Sequence, residues 1–304
     1  MTSDRPLRSF LFMLMAQFCF SCNILLIRMT ERAESAATGM PFRLSPWEPM
    51  VLRSIALAAL CIVLLHRHPG ETLTAKENFW LWARGTAGVL SLTAYYYGVL
   101  HIPLGMASLF SNSSPLYVTL LALFLGHELL TRPRILALLL GFAGVALVGL
   151  GAGSGSGQAI IFHDVMIAML SGPLSAAAYF SIRMLKRIRN EQIMLSLGLA
   201  GSLLGAIMLL IFEPHFPKTG PGWFWLLFSI LPALAAQQCL TLAFRLAPAT
   251  QVAPLQYSAP LFSGVLAYIF LQETIPPLSL AGMTLVIIFG LAIPYWEARR
   301  RPSL

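Results

Sequence analysis

Two short polar stretches interrupt apolar runs: SNSSP, Ser111 to Pro115, and QYSAP, Gln256 to Pro260. Each ends in proline. Within a helix, proline removes a backbone donor and clashes with the carbonyl four residues back. Those carbonyls belong to Ser111 and Gln256. Both helices are expected to bend there, leaving a freed carbonyl beside amides and hydroxyls. Inside a bilayer, non-helical backbone is tolerated only where protein or a water-filled cavity receives it. The pattern predicts a solute site lined by Ser111, Asn112, Gln256 and Tyr257, with Pro115 and Pro260 as kinks that gate it. Packing of helices through small polar residues is the alternative reading.

Other polar residues inside apolar runs extend the candidate set. Gln17, Asn23, Tyr95, Tyr179 and Gln237 are further cavity candidates. Tyr95 to Tyr97 are consecutive and point three ways on a helix, so one or two at most can face a cavity. Arg53 and Arg84 sit a turn or more inside their runs. Each either snorkels toward the nearer interface or supplies a counter-charge to a substrate carboxylate. The twelve acids and six histidines all fall in loops or near the ends of apolar runs. A proton-driven exporter of cations needs a deep carboxylate, so that chemistry is not expected, nor is a proton relay or metal site. An enzyme should show acids, His or metal ligands clustered at one depth, and none is seen. No cofactor is implied. There is no Gly-x-x-x-x-Gly-Lys loop, so ATP is not expected as the energy source. Cys19, Cys22, Cys61 and Cys239 lie within apolar runs and read as packing residues.

These residues must be held by apolar elements. The 304-residue chain is 57% hydrophobic and 11% charged, against about 25% charged in soluble domains. It cannot clothe itself in polar surface, and the lipid bilayer is its expected partner. Its formal charge of +8 does not indicate nucleic acid, because the basic residues fall between apolar runs and form no stripe. Runs near 9–28, 47–65, 79–99, 104–125, 135–151, 163–182, 193–212, 223–243, 248–271 and 279–296 predict ten transmembrane helices. Pro, Gly and charge clusters separate them, as in HRHPGE, TRPR and EPHFPKTGPG. The Gly/Ser stretch at 151–158 is the expected joint between halves.

With both termini in the cytoplasm, fourteen Lys and Arg residues face the cytoplasm and four face outward. That bias sets the expected orientation. IRMTER at Ile27 recurs as IRMLKR at Ile182. At a constant offset of 145, Pro103, Pro115, Ala122 and Glu128 pair with Pro248, Pro260, Ala267 and Glu273. The expectation is an all-α integral membrane protein of two five-helix repeats, 1–152 and 153–304. Five spans is an odd number, so the second repeat enters the membrane inverted, as in many secondary transporters.

The order and spacing of SPWEPMVLRS at 45–54, the run from Arg84 through Glu128, GFAGV at 141–145 and APATQVAPLQYSAPLF…LQE at 247–273 resemble the drug/metabolite transporter superfamily, EamA type. His127 stands before Glu128 where such families often have Gly. The resemblance covers nearly the whole chain. It implies a bacterial inner-membrane carrier whose repeats rock around a central cavity. The expected activity is secondary transport, by export, of a small zwitterionic or neutral metabolite such as an amino acid or its derivative. Uptake or exchange of a vitamin or nucleoside-like solute, with tyrosines stacking on a ring, is the alternative within the class. A membrane scaffold subunit is the alternative outside it. The carrier is expected to be a monomer or weak dimer.

Overall fold

The computed structural model describes residues 5–68, 70–101, 110–125, 131–153, 161–272 and 276–292. These residues form helices and, among them, no strand. In chain order the α-helices are α1 (Arg5–Thr38), α2 (Trp47–Arg67), α3 (Ala75–His101), α4 (Ser114–Phe124), α5 (Arg132–Gly153), α6 (Phe162–Met169), α7 (Ser171–Met184), α8 (Asn190–Ile211), α9 (Gly220–Phe228), α10 (Ile230–Leu246), α11 (Ala249–Val252), α12 (Ser258–Leu271) and α13 (Pro277–Leu285). A 3-10 segment, Ala253–Tyr257, joins α11 to α12, and a π-helical segment, Val286–Ala292, continues α13. Six stretches among the described residues are long and apolar enough to span a membrane: Leu7–Thr38, Trp47–Arg67, Phe162–Met184, Asn190–Ile211, Gly220–Leu246 and Ala249–Leu271. Large apolar side chains such as Leu210, Phe162 and Phe124 stand exposed. That surface suits lipid rather than water, and the chain is a multi-pass membrane protein. Pro103, Glu128, Glu273 and most of the Gly/Ser joint lie outside the described residues.

Four helix breaks share one cause. α6 ends at Met169, four residues before Pro173, and α9 ends at Phe228, four before Pro232. The 3-10 segment holds Gln256, four before Pro260. A turn at Asn112 and Ser113 follows Ser111, four before Pro115. In each case the proline ring would strike the carbonyl four residues back, so the α-helix is interrupted there and restarts within three residues of that carbonyl. Each proline then sits in the first turn of the next helix, where its missing N–H costs no hydrogen bond.

The first apolar run was expected to end near position 28, yet α1 continues to Thr38. Its polar last turns are held by neighbours. Arg32 Nη2 donates to the Leu271 carbonyl at 2.7 Å. Glu31 accepts from Leu44 N at 3.1 Å, and Ser35 Oγ from Phe42 N at 2.9 Å. Glu34 accepts from Lys218 N at 2.8 Å and from Thr219 Oγ1 at 2.5 Å. So IRMTER lies inside a helix, whereas α7 ends within IRMLKR at Met184.

α1 packs along α10, and α3 along α7. α2 packs on α8, and α5 on α13. α4 lies against α7, and α12 against α1. Glycines allow the closest crossings. A Cβ on Gly198 would come within 2.8 Å of Ala58 N, and one on Gly205 within 2.9 Å of Val51 Cβ. Gly144 and Gly282 do the same for α5 and α13, each facing the other's carbonyl. The largest buried cluster joins Phe10 and Met13 of α1, Phe180 of α7, Phe244 of α10 and Val252 of α11.

Candidate functional site

The sequence candidates fall into separate groups rather than one ring. Arg53 of α2 and Gln237 of α10 line a common cavity with Ser54, Val89 and Leu197. Its space for water centres is about 20 Å³, enough for one water. Arg84 and Tyr179 lie beside it, within electrostatic reach of Arg53 and of one another. Arg84 is 2% exposed and its Nε has no hydrogen-bond partner. Gln237 is buried, and its Nε2 is likewise unpaired. A pair of hydroxyls lies near this group: Ser175 is 2.5 Å from Ser91, and Ser91 Oγ donates to the Ser171 carbonyl at 2.8 Å. The Tyr179 ring stacks on Phe244 at 5.2 Å.

Ser111 and Asn112 occupy the break before α4. There Ser113 N and Oγ both donate to the Phe110 carbonyl, at 3.2 and 2.5 Å. Gly172, just past the α6–α7 break, lies so close that a Cβ would come 2.3 Å from Ser113 Oγ. Two helix breaks therefore touch. Tyr95 packs nearby with Phe110, Val165 and Ala168. Tyr96 makes an edge contact with Trp47, and Tyr97 donates to Asp164 Oδ1 at 2.8 Å, so the three tyrosines do diverge.

Gln256 and Tyr257 form a third group. Tyr257 is fully buried with Leu138, Val145 and Val286, and Leu116 and Phe142 pack against that cluster. Its hydroxyl has no partner, and neither has Gln256 Nε2. In this conformation the Tyr257 ring packs in an apolar contact. The 3-10 segment packs on α4, and Leu116 connects the two broken regions.

Gln17 and Asn23 are satisfied within the helix bundle. Gln17 Nε2 donates to Met13 Sδ at 3.2 Å, and Asn23 Nδ2 to the Ser229 carbonyl at 2.8 Å. Asn23 thus caps the backbone exposed at the α9–α10 break. Sequence reasoning passed over Ser21, whose Oγ donates to the Ala259 carbonyl at 3.2 Å and accepts from Ser263 at 3.0 Å, tying α1 to α12. It also passed over Ser91 and Ser175. A lone serine in an apolar run carries no signal. The signal for the two unforeseen breaks was present, however, in Pro173 and Pro232.

Among the described residues, no Asp or Glu pairs with Arg53 or Arg84. The buried acids sit at helix ends instead. Glu48 takes His215 N at 2.6 Å, Glu34 takes the 218–219 backbone, and Asp164 takes Tyr97. The cavity brings the Arg53 guanidinium, the Ser54 hydroxyl and the Gln237 amide together against aliphatic walls. That equips it to bind a polar solute, and provides no nucleophile with an adjacent base.

A multi-pass bundle with broken helices and a small cavity at the meeting of α2, α3, α8 and α10, with three polar side chains among aliphatic ones, fits a solute carrier. The chain matches the EamA-like transporter family over residues 7–150 and 164–293, and it belongs to that family. It is 32% identical over 285 residues to the pseudopaline exporter CntI of Pseudomonas aeruginosa, covering 92% of this chain and 93% of that protein. It is 27% identical over 290 residues to a transporter of Helicobacter pylori, covering 92% of each. An S-adenosylmethionine uptake transporter of Rickettsia felis is 24% identical over 259 residues, covering 84% of this chain and 85% of that one. A solved crystal structure superposes with a TM-score of 0.77 at 19% identity, over 98% of this chain and all of the other, which shows a shared fold. The protein is a transporter of the drug/metabolite type rather than an enzyme.

Proposed function

We propose that this carrier exports a small zwitterionic or neutral metabolite, an amino acid or amino-acid derivative, across a bacterial inner membrane by alternating access. In this reading ten spans form two inverted five-helix repeats, and both termini are cytoplasmic. The packing supports the repeat. Under exchange of halves, α1 on α10 becomes α7 on α3, α4 on α7 becomes α12 on α1, and the pairs α2–α8 and α5–α13 map onto themselves. The observation that carries the solute class is the cavity itself: Arg53, Gln237 and Ser54 converge where the halves meet, with no carboxylate beside them among the described residues. Such a lining suits carboxylate, hydroxyl and amide groups, and disfavours a bare cation. The exporter relative at 32% identity supports the direction.

A second reading has one specific support. The S-adenosylmethionine uptake relatives favour inward movement or exchange of a nucleoside-like solute, with Tyr179 as a stacking surface. Reconstituted liposomes loaded with radiolabelled amino acids and nucleoside derivatives separate the two. Efflux of the amino-acid group without ATP supports the first. Flux of the nucleoside group alone overturns it in favour of the second.

A further inference from the structure

We propose that Arg53 and Arg84 form an anion site that selects solutes with a surplus carboxylate, so that the transported amino-acid derivative is acidic rather than a simple zwitterion. This rests on the carrier reading above and replaces its neutral or simply zwitterionic solute with a carboxylate-rich amino-acid derivative.

The alternative for a membrane arginine is snorkelling, and the geometry of Arg84 opposes it. Arg84 is the tenth residue of α3, roughly 13 Å from the helix start at about 1.5 Å per residue. Snorkelling would send its head back toward Ala75, the nearer end. The head goes the other way. A Cβ on Gly88, one turn further along α3, would lie 2.5 Å from Arg84 Nη1. So the absence of a side chain at Gly88 makes room for a guanidinium that reaches deeper. The same point lies 2.8 Å from Leu197 Cδ1, and Leu197 lines the Arg53 cavity. The guanidinium therefore packs beside a side chain of the cavity wall, though it does not itself line the cavity in this conformation.

Charge makes the second argument. A buried cation is strongly disfavoured unless paired and hydrogen-bonded. Arg84 is 2% exposed, its Nε is unpaired, and among the described residues no Asp or Glu neutralises it. Its neighbour Tyr179 is a neutral phenol with no charge to offset it, and Arg53 repels it. Two like charges held together without an acid are a site awaiting an anion. One carboxylate would satisfy one guanidinium by a forked pair. Neutralising both takes two negative groups, or one shared between them. Gln237 Nε2, unpaired on the opposite wall, is a further donor for the same oxygens. For the ammonium of an amino acid the lining side chains offer only the Ser54 hydroxyl and the Gln237 amide oxygen, both uncharged acceptors.

The test uses purified full-length protein and matched solutes that differ by one carboxylate. L-glutamate is compared with L-glutamine, and N-carboxymethyl-L-glutamate with L-glutamate, by thermal stabilisation over a concentration series and by uptake into liposomes. The expected result is a preference for the more acidic member of each pair of about tenfold in affinity, the scale of a charge-assisted hydrogen bond. Arg84→Gln and Arg53→Gln should each reduce that preference to under about twofold, and Arg84→Lys should retain part of it. Equal or better binding of the amide member by the wild type overturns the proposal. So does an acid preference that survives in both glutamine variants. Because Arg53 is only half-buried, Arg53→Gln preserves the test if Arg84→Gln does not fold. Acid-selective binding without any flux would sink the carrier reading and leave the anion site standing. Flux of neutral solutes unaffected by either variant would do the reverse.

Discussion

Tyr257 is the residue whose behaviour separates a binding role from a packing role. Its hydroxyl is buried without a partner, which costs about 1–3 kcal/mol. Tyr257→Phe deletes the unpaired group and keeps the ring against Phe142. The solute-free protein is expected to melt at the same temperature or higher. If the hydroxyl meets solute in another state of the cycle, affinity falls two- to tenfold, the value of about 0.5–1.5 kcal/mol for one hydrogen bond. Thermal melting and solute titration on the same preparation read both effects. A lower melting temperature with unchanged affinity would make Tyr257 purely structural. Asn112→Ala, at the matched break, is expected to lower affinity by the same factor. The sequence disclosed which polar residues lie inside apolar runs, because position in a run needs only counting. It did not disclose which of them are already satisfied. Gln17 finds Met13 one turn away and Asn23 finds the Ser229 carbonyl across the bundle. Partners 206 positions apart follow from how helices cross, and no local pattern encodes that.

At the scale of elements, the apolar runs foretold most helices, since length and hydropathy alone decide what fits a bilayer. The breaks at Leu170 and Ser229 were not anticipated, although Pro173 and Pro232 obey the same steric rule already applied to Pro115 and Pro260. Nor was the extension of α1 to Thr38, which depends on loop backbone donating to Glu31 and Glu34. The α2–α8 crossing rests on backbone proximity. Gly198→Val places methyls on the Ala58 backbone and is expected to lose about 1–3 kcal/mol through overpacking. Gly220 at the start of α9 has nothing within 4 Å of a Cβ site, so Gly220→Ala should be near neutral by the same unfolding assay. Equal losses would show that the seam is not close-packed. The start of α3 is fixed by a reciprocal cap: Thr74 N and Oγ1 donate to Glu77 Oε2 at 2.9 and 2.7 Å, and Glu77 N donates to Thr74 Oγ1 at 3.3 Å. Thr74's backbone N–H, then its hydroxyl, with the charge of Arg187, hold the Glu77 carboxyl below its ordinary range. A lowered carboxylate contributes stability that is complete above its unfolded value, about 4.3. That stability is lost as pH falls through the lower folded value. Melting temperature is therefore expected to fall more steeply below about pH 4.3 in the wild type than in Glu77→Gln. Parallel slopes would remove Glu77 from the acid response.

For the whole molecule, the question is whether the two halves exchange roles during transport. Both ends of the bundle are laced in this conformation. At one end Arg187 bridges to Glu77 and the Thr72 carbonyl, and Gln192 exchanges bonds with the Glu71 backbone. At the other end Glu34 and Glu48 take the 215–219 backbone. Movement must release one set while the other holds, around the breaks that proline imposes. Pro115 lies in the first turn of α4 and Pro260 in that of α12. Pro115→Ala restores an N–H aimed at Ser111 and removes the ring that stops the helix, and Pro260→Ala does the same toward Gln256. Each is expected to let its two helical pieces fuse and so stiffen one half. Solute affinity should change little, while turnover drops by a similar factor in both variants, because opening and closing of broken helices governs such rates. Transport rates at saturating solute and binding titrations distinguish these effects. If one proline matters and the other does not, the halves are unequal in function however alike they pack. If neither matters, the breaks serve packing alone, and the motion runs through the Gly198 and Gly144 seams, where backbones slide closest.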